Sequence, residues 1–324
     1  MSSVTVSDSE YRAVTEACGL LDRSDRGKLA LTGADAKTFL QGQVSNDVEA
    51  LTPGAGCYAA FLTPKGKMLG DLRILDAGEE LLLDTERVAL QELFNMVRRF
   101  SVGYAVELHK RTLERGMLSL LGPEAEALAG IDELGAAEHS HAAVVIDAIP
   151  ARAIRTDLGL DLLCAAEETE ALTAALTRRG AESVSEAVAD CVRVERGRPR
   201  YGVDLDDTVI PQEADLNDRA VSFTKGCYVG QEPVARLHYR GHANRGLRTI
   251  LLDGELPEAG AAVTLEGRDV GRVTSAVASP TLGRAVALAI VRREIDPGQK
   301  VGVVTGEGVV EGELAAVPAY RWHR

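Results

Sequence analysis

The chain has 324 residues, of which 45% are hydrophobic, 26% charged and 4% aromatic, and its formal charge is -13. That length supports two or three domains with a substantial core, and the composition is that of an ordinary globular protein. The acidity argues against a general nucleic-acid binder, which is normally basic over a whole domain.

The opening MSSVTVSDSEYRAV has neither a positive start nor an apolar run, so no secretory signal is expected. No segment approaches the roughly eighteen apolar residues that span a bilayer, and the expected location is the cytosol. Ser7 and Glu10 have capping-box spacing and predict a short helix ending near Gly19. After the turn DRSDRG, KLALT reads as a strand; Thr32 and Asp35 have a related spacing ahead of a helix through AKTFLQGQV. CYAAFL, MLGDLRIL and LLLDT, separated by TPKGK and DAGEE, read as a hairpin series. A helix from Glu86 to Phe100 follows, with Leu90, Leu93, Phe94 and Val97 on one face.

Strands around 102–108, 116–121, 142–147 and 160–165 are interspersed with helices over 123–129, 167–179 and 184–196. Without regular βαβ alternation this pattern indicates α+β layers rather than a doubly wound sheet. From Gly246 the helical period disappears, and LRTILLD, AAVTLEG, VGRVTSAVAS, GRAVALAIVRR, KVGVV and GVVEGELAAV read as short strands of a small β-barrel or sandwich. The expected division is 1–240 for interleaved α+β units and 241–324 for the barrel.

The densest chemistry lies in KGCYVGQE, residues 225–232. A thiol acts as nucleophile or metal ligand in its thiolate form, which a neighbouring cation favours, and Lys225 is two residues from Cys227. Gly226 and Gly230 permit a sharp turn and a close approach to a ligand; the plain alternative is a surface turn with an inert cysteine. Cys18, Cys57, Cys164 and Cys191 lie in apolar patterns and are expected to pack. None of the five forms Cys-x-x-Cys or stands at zinc-finger spacing from a histidine, so neither a disulfide framework nor an autonomous metal or cluster site is expected.

From Lys225 to Arg248 the only acid is Glu232, against Lys225, Arg236, Arg240, Arg245 and Arg248, a local net of +4 in an acidic chain. Such a stretch, read as a basic strand or loop, attracts carboxylates or phosphates. Asp204, Asp206 and Asp207 lack the alternating spacing of a hard-cation loop and read as a solvated turn. There is no P-loop and no strand-linked GxGxxG.

KGCYVGQE resembles the signature of the YgfZ family, folate-binding relatives of the glycine-cleavage T-protein that support iron–sulfur enzymes. LQGQVSND, Leu40 to Asp47, resembles a stretch near the start of both YgfZ and T-protein chains, and RVERG resembles a pterin-contacting segment. The likeness is dense over 29–75 and 190–245. It implies two interleaved ferredoxin-like α+β domains plus a C-terminal β-barrel, ringed around a central cleft that binds tetrahydrofolate. It further implies iron–sulfur client enzymes, including tRNA-modifying ones, as partners, with no direct nucleic-acid contact and no membrane.

Under this resemblance Cys227 is the reactive or transiently metal-binding thiol. Lys225 and Arg236 hold anions, and Tyr228 flanks the ligand beside the cysteine. One thiolate cannot satisfy a cluster that takes four cysteinyl ligands, so any cluster would be shared with a client, a second subunit or a small thiol. Glu195 would orient the pterin, a carboxylate being able to accept two parallel donors from an aminopyrimidine edge; its plain reading is a salt bridge with Arg193, Arg196 or Arg198. Asp71 falls at or next to the aspartate that T-proteins place beside the reactive folate nitrogen; by simple strand alternation it would face solvent. The competing reading, an aminomethyltransferase moving a one-carbon unit onto tetrahydrofolate, is favoured by Asp71 and Glu195 and disfavoured by the octapeptide. One departure stands out: the only tryptophan is Trp322, and Arg26 occupies the N-terminal position where some members carry a folate-lining tryptophan.

Overall fold

The computed structural model describes residues 6–318; Trp322 lies outside them. The chain begins with α1 (Asp8–Glu16) and β1 (Gly19–Asp22), then runs β2 (Gly27–Thr32), α2 (Ala36–Gln41), β3 (Gly56–Leu62), β4 (Met68–Asp76), β5 (Leu81–Thr85), α3 (Leu90–Phe100) and β6 (Glu107–Lys110). It continues through β7 (Arg115–Leu121), α4 (Ala125–Ala129), β8 (His141–Ile146), β9 (Ile149–Arg155), β10 (Gly159–Ala165), α5 (Thr169–Arg178), β11 (Glu182–Ser183) and α6 (Glu186–Glu195). Two helices, α7 (Asn217–Ala220) and α8 (Gln231–Arg240), precede β12 (Arg245–Leu252), β13 (Ala262–Leu265), β14 (Arg268–Ser279), β15 (Arg284–Arg292), β16 (Lys300–Thr305) and β17 (Gly308–Ala315).

These strands form three sheets. One has the order β3-β4-β5-β2-β6, a second β11-β1-β7-β10-β9-β8, and the last six strands close into a barrel, β12-β15-β14-β13-β16-β17. The first two are interleaved: the chain lays down β1, builds all of the five-stranded sheet, then returns to pair β7 antiparallel with β1. The architecture is α+β with a closed C-terminal barrel, as the composition of elements implied.

Strand alternation decides which residues face which layer. In β4, Leu72 and Ile74 point into an apolar layer with Phe39, Phe61, Leu93 and Val97, and burial of each such side chain contributes on the order of 1.5–3 kcal/mol. The intervening Asp71 and Arg73 point to the opposite face. There the β3–β4–β5–β2 ladder sets Tyr58, Arg73, Asp84 and Lys28 side by side in one row. The second sheet has its own apolar layer, with Leu118, Leu120, Leu160 and Leu162 against Leu172 and Leu176. Asp161, between Leu160 and Leu162, points back at Arg73, whose Nη1 donates to Asp161 Oδ2 at 2.5 Å. The two sheets therefore meet across a buried ionic seam.

The hairpin series and the six barrel strands follow the sequence pattern, whereas β1 and β9 had no expectation. The residues expected as a strand over 102–108 form turns up to β6. The two capping signals mark real helices through other contacts: Ser7 Oγ meets Ser9 Oγ, Glu10 accepts from Ser185 Oγ, and Asp35 accepts from Ala105 N. Within the basic stretch, expected as a strand or loop, Gln231–Arg240 form a helix carrying Arg236 and Arg240, with Gly230 in the left-handed region (φ 83) as its N-cap and Pro233 in its first turn, where proline is tolerated, while Arg245 and Arg248 lie on β12. Among the described residues no helix is long and apolar enough to cross a membrane.

Candidate functional site

A cavity of about 230 Å³ opens where the two sheets and the end of α6 meet. Its floor is Tyr58, Asp71 and Arg73. Its walls include Arg26, Glu138, His139 and Asp157, together with Arg193, Arg196, Arg198, Arg200 and Tyr201 from the end of α6 onward, and Arg219 from α7.

Asp71 is buried rather than solvent-facing, because the face it shares with Arg73 is covered by the second sheet. Tyr58 Oη donates to its Oδ2 at 2.5 Å. Burial pushes its carboxyl up to about 6, against the opposing pull of the Tyr58 hydrogen bond. A carboxyl poised there exchanges a proton with a bound base near neutral pH. Asp84 goes the other way: burial alone would raise it, but the Arg26 and Arg73 guanidiniums beside it hold it at about 2. Arg26 donates to Asp84 Oδ1 at 2.8 Å and also pairs with Glu86. Where the resemblance would put a stacking tryptophan, the cleft thus carries an ion-paired guanidinium.

Glu195 is placed elsewhere. It is buried, accepts from Tyr11 Oη at 2.8 Å and from Ser279 Oγ, and does not line the cavity. Both carboxylate oxygens are engaged inside the protein, tying α6 to α1 and β14. Here Glu195 turns both carboxylate oxygens toward Tyr11 and Ser279 rather than toward the cavity. The neighbouring Arg193 instead donates to Asp190 and to Asp204. Asp204 is buried and accepts from Arg193 Nη1, Arg200 N, Thr274 Oγ1 and Ser275 Oγ, so this member of the acidic turn is a structural hub, not a solvated residue. Among the described residues no group of three or more His, Cys, Asp or Glu side chains is arranged to hold a metal ion.

The octapeptide lies outside the cavity lining. Lys225 is buried, and its Nζ donates to the carbonyls of Gln41, Val44 and Asn46, each at 2.7 Å. All three ammonium donors are taken up, so Lys225 is a staple for the Leu40–Asp47 segment rather than a holder of ligand anions; burial pushes it down to about 8. The Lys225 ammonium lies 5.0 Å from the Tyr228 ring centroid, and Tyr228 is itself buried in the apolar cluster under the barrel. Val229 N donates to Gly42 O. Gly230 sits against the β3–β4 turn so tightly that a Cβ there would fall 2.6 Å from Thr63 O, whereas a Cβ at Gly226 would meet nothing. Of the two glycines, one is required by packing.

On this pinned loop Cys227 is exposed, while Cys18, Cys164 and Cys191 are buried and Cys57 partly so. Burial pushes Cys18 up to about 11 and Cys57 and Cys191 up to about 12. Arg236 is exposed on α8, and no cavity-lining residue comes from 220–245. Arg240 shares this helix and Arg245 and Arg248 lie on β12, and none of them lines this cavity. Of the candidate residues, only Asp71 is brought to the cavity. Tyr58, Glu138, His139 and Arg219 were missed; Tyr58 was findable only through the β3–β4 register, and the others lie in segments without periodic signal.

Two family models cover nearly the whole chain: the GCVT N-terminal domain matches residues 2–225 and the glycine cleavage T-protein C-terminal barrel domain residues 245–321. The aminomethyltransferase of Rubrobacter xylanophilus is 31% identical over 98% of this chain and 87% of its own length. That of Geobacillus kaustophilus is 30% identical over 96% and 90%. The crystal structure of glycine cleavage system aminomethyltransferase T from Bartonella henselae superposes with a TM-score of 0.86 at 22% identity, over 98% of this chain and 90% of that one, which shows the shared fold. The chain belongs to the glycine-cleavage T-protein family.

Proposed function

We propose that the central cleft binds tetrahydrofolate and handles a one-carbon unit on it, as an aminomethyltransferase does. The observation that carries this reading is Asp71: a buried carboxyl on the cavity floor, oriented by Tyr58 and raised to about 6. Such a group holds or releases a proton at the folate nitrogen that takes the carbon, while Tyr58 fixes which carboxyl oxygen is free to do so. The ionic seam behind it, Arg73 with Asp84 and Asp161, holds the floor in place. The curated relatives named aminomethyltransferase support the same assignment. In this reading 1–240 is the folate-binding part and 241–324 a separate barrel domain, acting in the cytosol.

The test supplies tetrahydrofolate and a lipoyl carrier protein bearing an aminomethyl group, and follows methylene-tetrahydrofolate and ammonia. Turnover that falls at least about a hundredfold in Asp71→Asn is expected, the usual scale of a general acid–base contribution. Folate binding without turnover would favour a second reading, a folate-dependent factor that maintains iron–sulfur enzymes. That reading is supported by KGCYVGQE and by the exposure of Cys227 on a loop whose neighbours are pinned. Its signature would be rescue of a strain lacking its own YgfZ-type protein by the wild-type chain but not by Cys227→Ser.

A further inference from the structure

Among the described residues the barrel contributes none to the lining of the central cavity, yet one of its strands reaches the cavity wall through a carboxylate. Along β14 the register with β15 slips at Thr274: Val273 faces Ala289 and Ser275 faces Leu288, which leaves Thr274 as an extra residue. Consecutive side chains of a regular strand point to opposite faces. Here the slip brings two of them together, and Thr274 Oγ1 and Ser275 Oγ both donate to Asp204 Oδ1 at 2.6 Å. Bulges that re-aim side chains in this way are over-represented next to functional sites.

Asp204 passes this hold on to the cavity. Its side chain is fully buried, and its Oδ2 accepts from Arg193 Nη1 at 2.7 Å and from Arg200 N at 2.9 Å. The same Arg193 donates through Nη2 to Ser275 Oγ at 3.0 Å and through Nη1 to Arg198 O at 3.2 Å. Asp204 therefore grips residues 198–201 twice, directly at Arg200 and through Arg193 at Arg198. This segment lines the cavity, belongs to no named helix or strand, and is bounded by Gly197 (φ 66) and Gly202 (φ 83), both left-handed. Its own side chains end in partly exposed ion pairs, Arg198 on Asp157 and Arg200 on Glu86 and Glu186. Pairs of that kind hold a segment weakly. The buried grip is the stronger one.

We propose that the barrel positions the arginine-bearing wall of the cleft, with Asp204 as the positioning residue and Thr274 and Ser275 as its clamp. The barrel then acts on the ligand's site without touching the ligand, because a positioning group displaced by about 1 Å can cost about a hundredfold in rate. The effect on the ligand rests on the folate reading of the cleft; the hold on the wall does not.

Two measurements on the intact chain test the clamp: amide exchange at residues 198–203 and calorimetric titration with tetrahydrofolate. Thr274→Val combined with Ser275→Ala removes both clamp hydroxyls. Exchange at Arg200 and Tyr201 is expected to quicken about tenfold, by local opening of the wall. Tetrahydrofolate should bind about tenfold more weakly. Thr274→Ser keeps its hydroxyl and should stay within about twofold of wild type in both readouts. Leu314→Ala hollows the barrel core from β17, three strands round from β14, and reports what destabilisation alone does. It should lower the melting temperature yet leave both readouts within about twofold. Ser275→Ala alone is the milder arm if the double variant does not fold.

Exchange and affinity unchanged in the folded clamp variants overturn the proposal and leave the folate reading standing; equal changes in Leu314→Ala overturn it too. Faster exchange with unchanged affinity means the wall is held but does not position the ligand, which also overturns it. If wild type binds no tetrahydrofolate, the folate reading falls, and the exchange comparison alone decides whether the barrel holds the wall.

Discussion

The octapeptide loop and the central cleft place charge in opposite ways. In the loop, a lysine is buried against three backbone carbonyls, a tyrosine and a glycine are packed, and one thiol is left exposed. In the cleft, arginines and carboxylates from both sheets are buried against each other, and one carboxyl, Asp71, stands apart from those pairs with its pKa raised. The loop is therefore legible as a contiguous motif because its residues hold one another and their neighbours in place. The cleft is assembled from positions far apart in sequence, each ordinary by itself. Motif density reports how tightly a segment is specified, and chemistry need not sit where specification is densest.

The largest expected effect comes from the seam. Arg73 donates to Asp84 Oδ2 at 2.7 Å and to Asp161 Oδ2 at 2.5 Å, all three being buried. Arg73→Met leaves two carboxylates without this partner, and removing one side of a buried ion pair costs about 3–5 kcal/mol. Urea denaturation should show a fall of that size. A loss below about 1 kcal/mol, the range of exposed pairs, would mean the seam behaves as a solvated surface and the contrast with the loop fails.

Much of the fold was legible. The β3–β4–β5 hairpins and the barrel strands are short apolar runs with turn residues at their ends, signals that local physics writes into sequence. β1 is four residues long and β9 has Pro150 as its second residue and arginines among its apolar positions, so neither stands out as a run. The site was less legible for a different reason. Asp71 was findable because a charged residue among apolar strand positions needs an explanation. Glu195 and Lys225 carried equally strong sequence arguments, but whether a charged side chain turns toward a cavity or toward its own backbone depends on tertiary partners. Tyr11, Ser279 and the carbonyls of 41–46 made that choice.

A second test sharpens the contrast at Asp71 through pH. Its folded-state value of about 6 lies above the ordinary 3.8 of the unfolded chain, so the fold favours the neutral acid. The favourable contribution is complete below about 3.8 and is lost as pH rises to about 6. The total loss is (6 − 3.8) × 1.36, or about 3 kcal/mol. Asp71→Asn mimics the neutral acid and still accepts from Tyr58, so it escapes this loss. The stability of the variant minus that of wild type, from denaturant melts, should rise from pH 4 to pH 6.5 and then level off. A difference that is flat across this range would show that Asp71 is an ordinary carboxylate and remove the cleft's main claim to proton transfer.

The smallest effects separate two residues of the loop itself. Lys225→Met leaves three carbonyls without their donor; hydrogen bonds to charged groups contribute about 1.5–3 kcal/mol, and a loss in that range is expected. Amide exchange should then quicken in the 40–47 segment, the part that Lys225 staples. Cys227→Ser removes an exposed thiol and should change stability by less than about 0.5 kcal/mol. In wild type, alkylation followed by peptide mass should label Cys227 well before Cys18, Cys57 or Cys191, whose thiols burial holds at about 11 to 12. If Cys227→Ser destabilises as much as Lys225→Met, the thiol belongs to the packing of the loop. The loop would then be scaffold throughout, with no group set apart for chemistry, and the iron–sulfur reading would lose the observation that favours it.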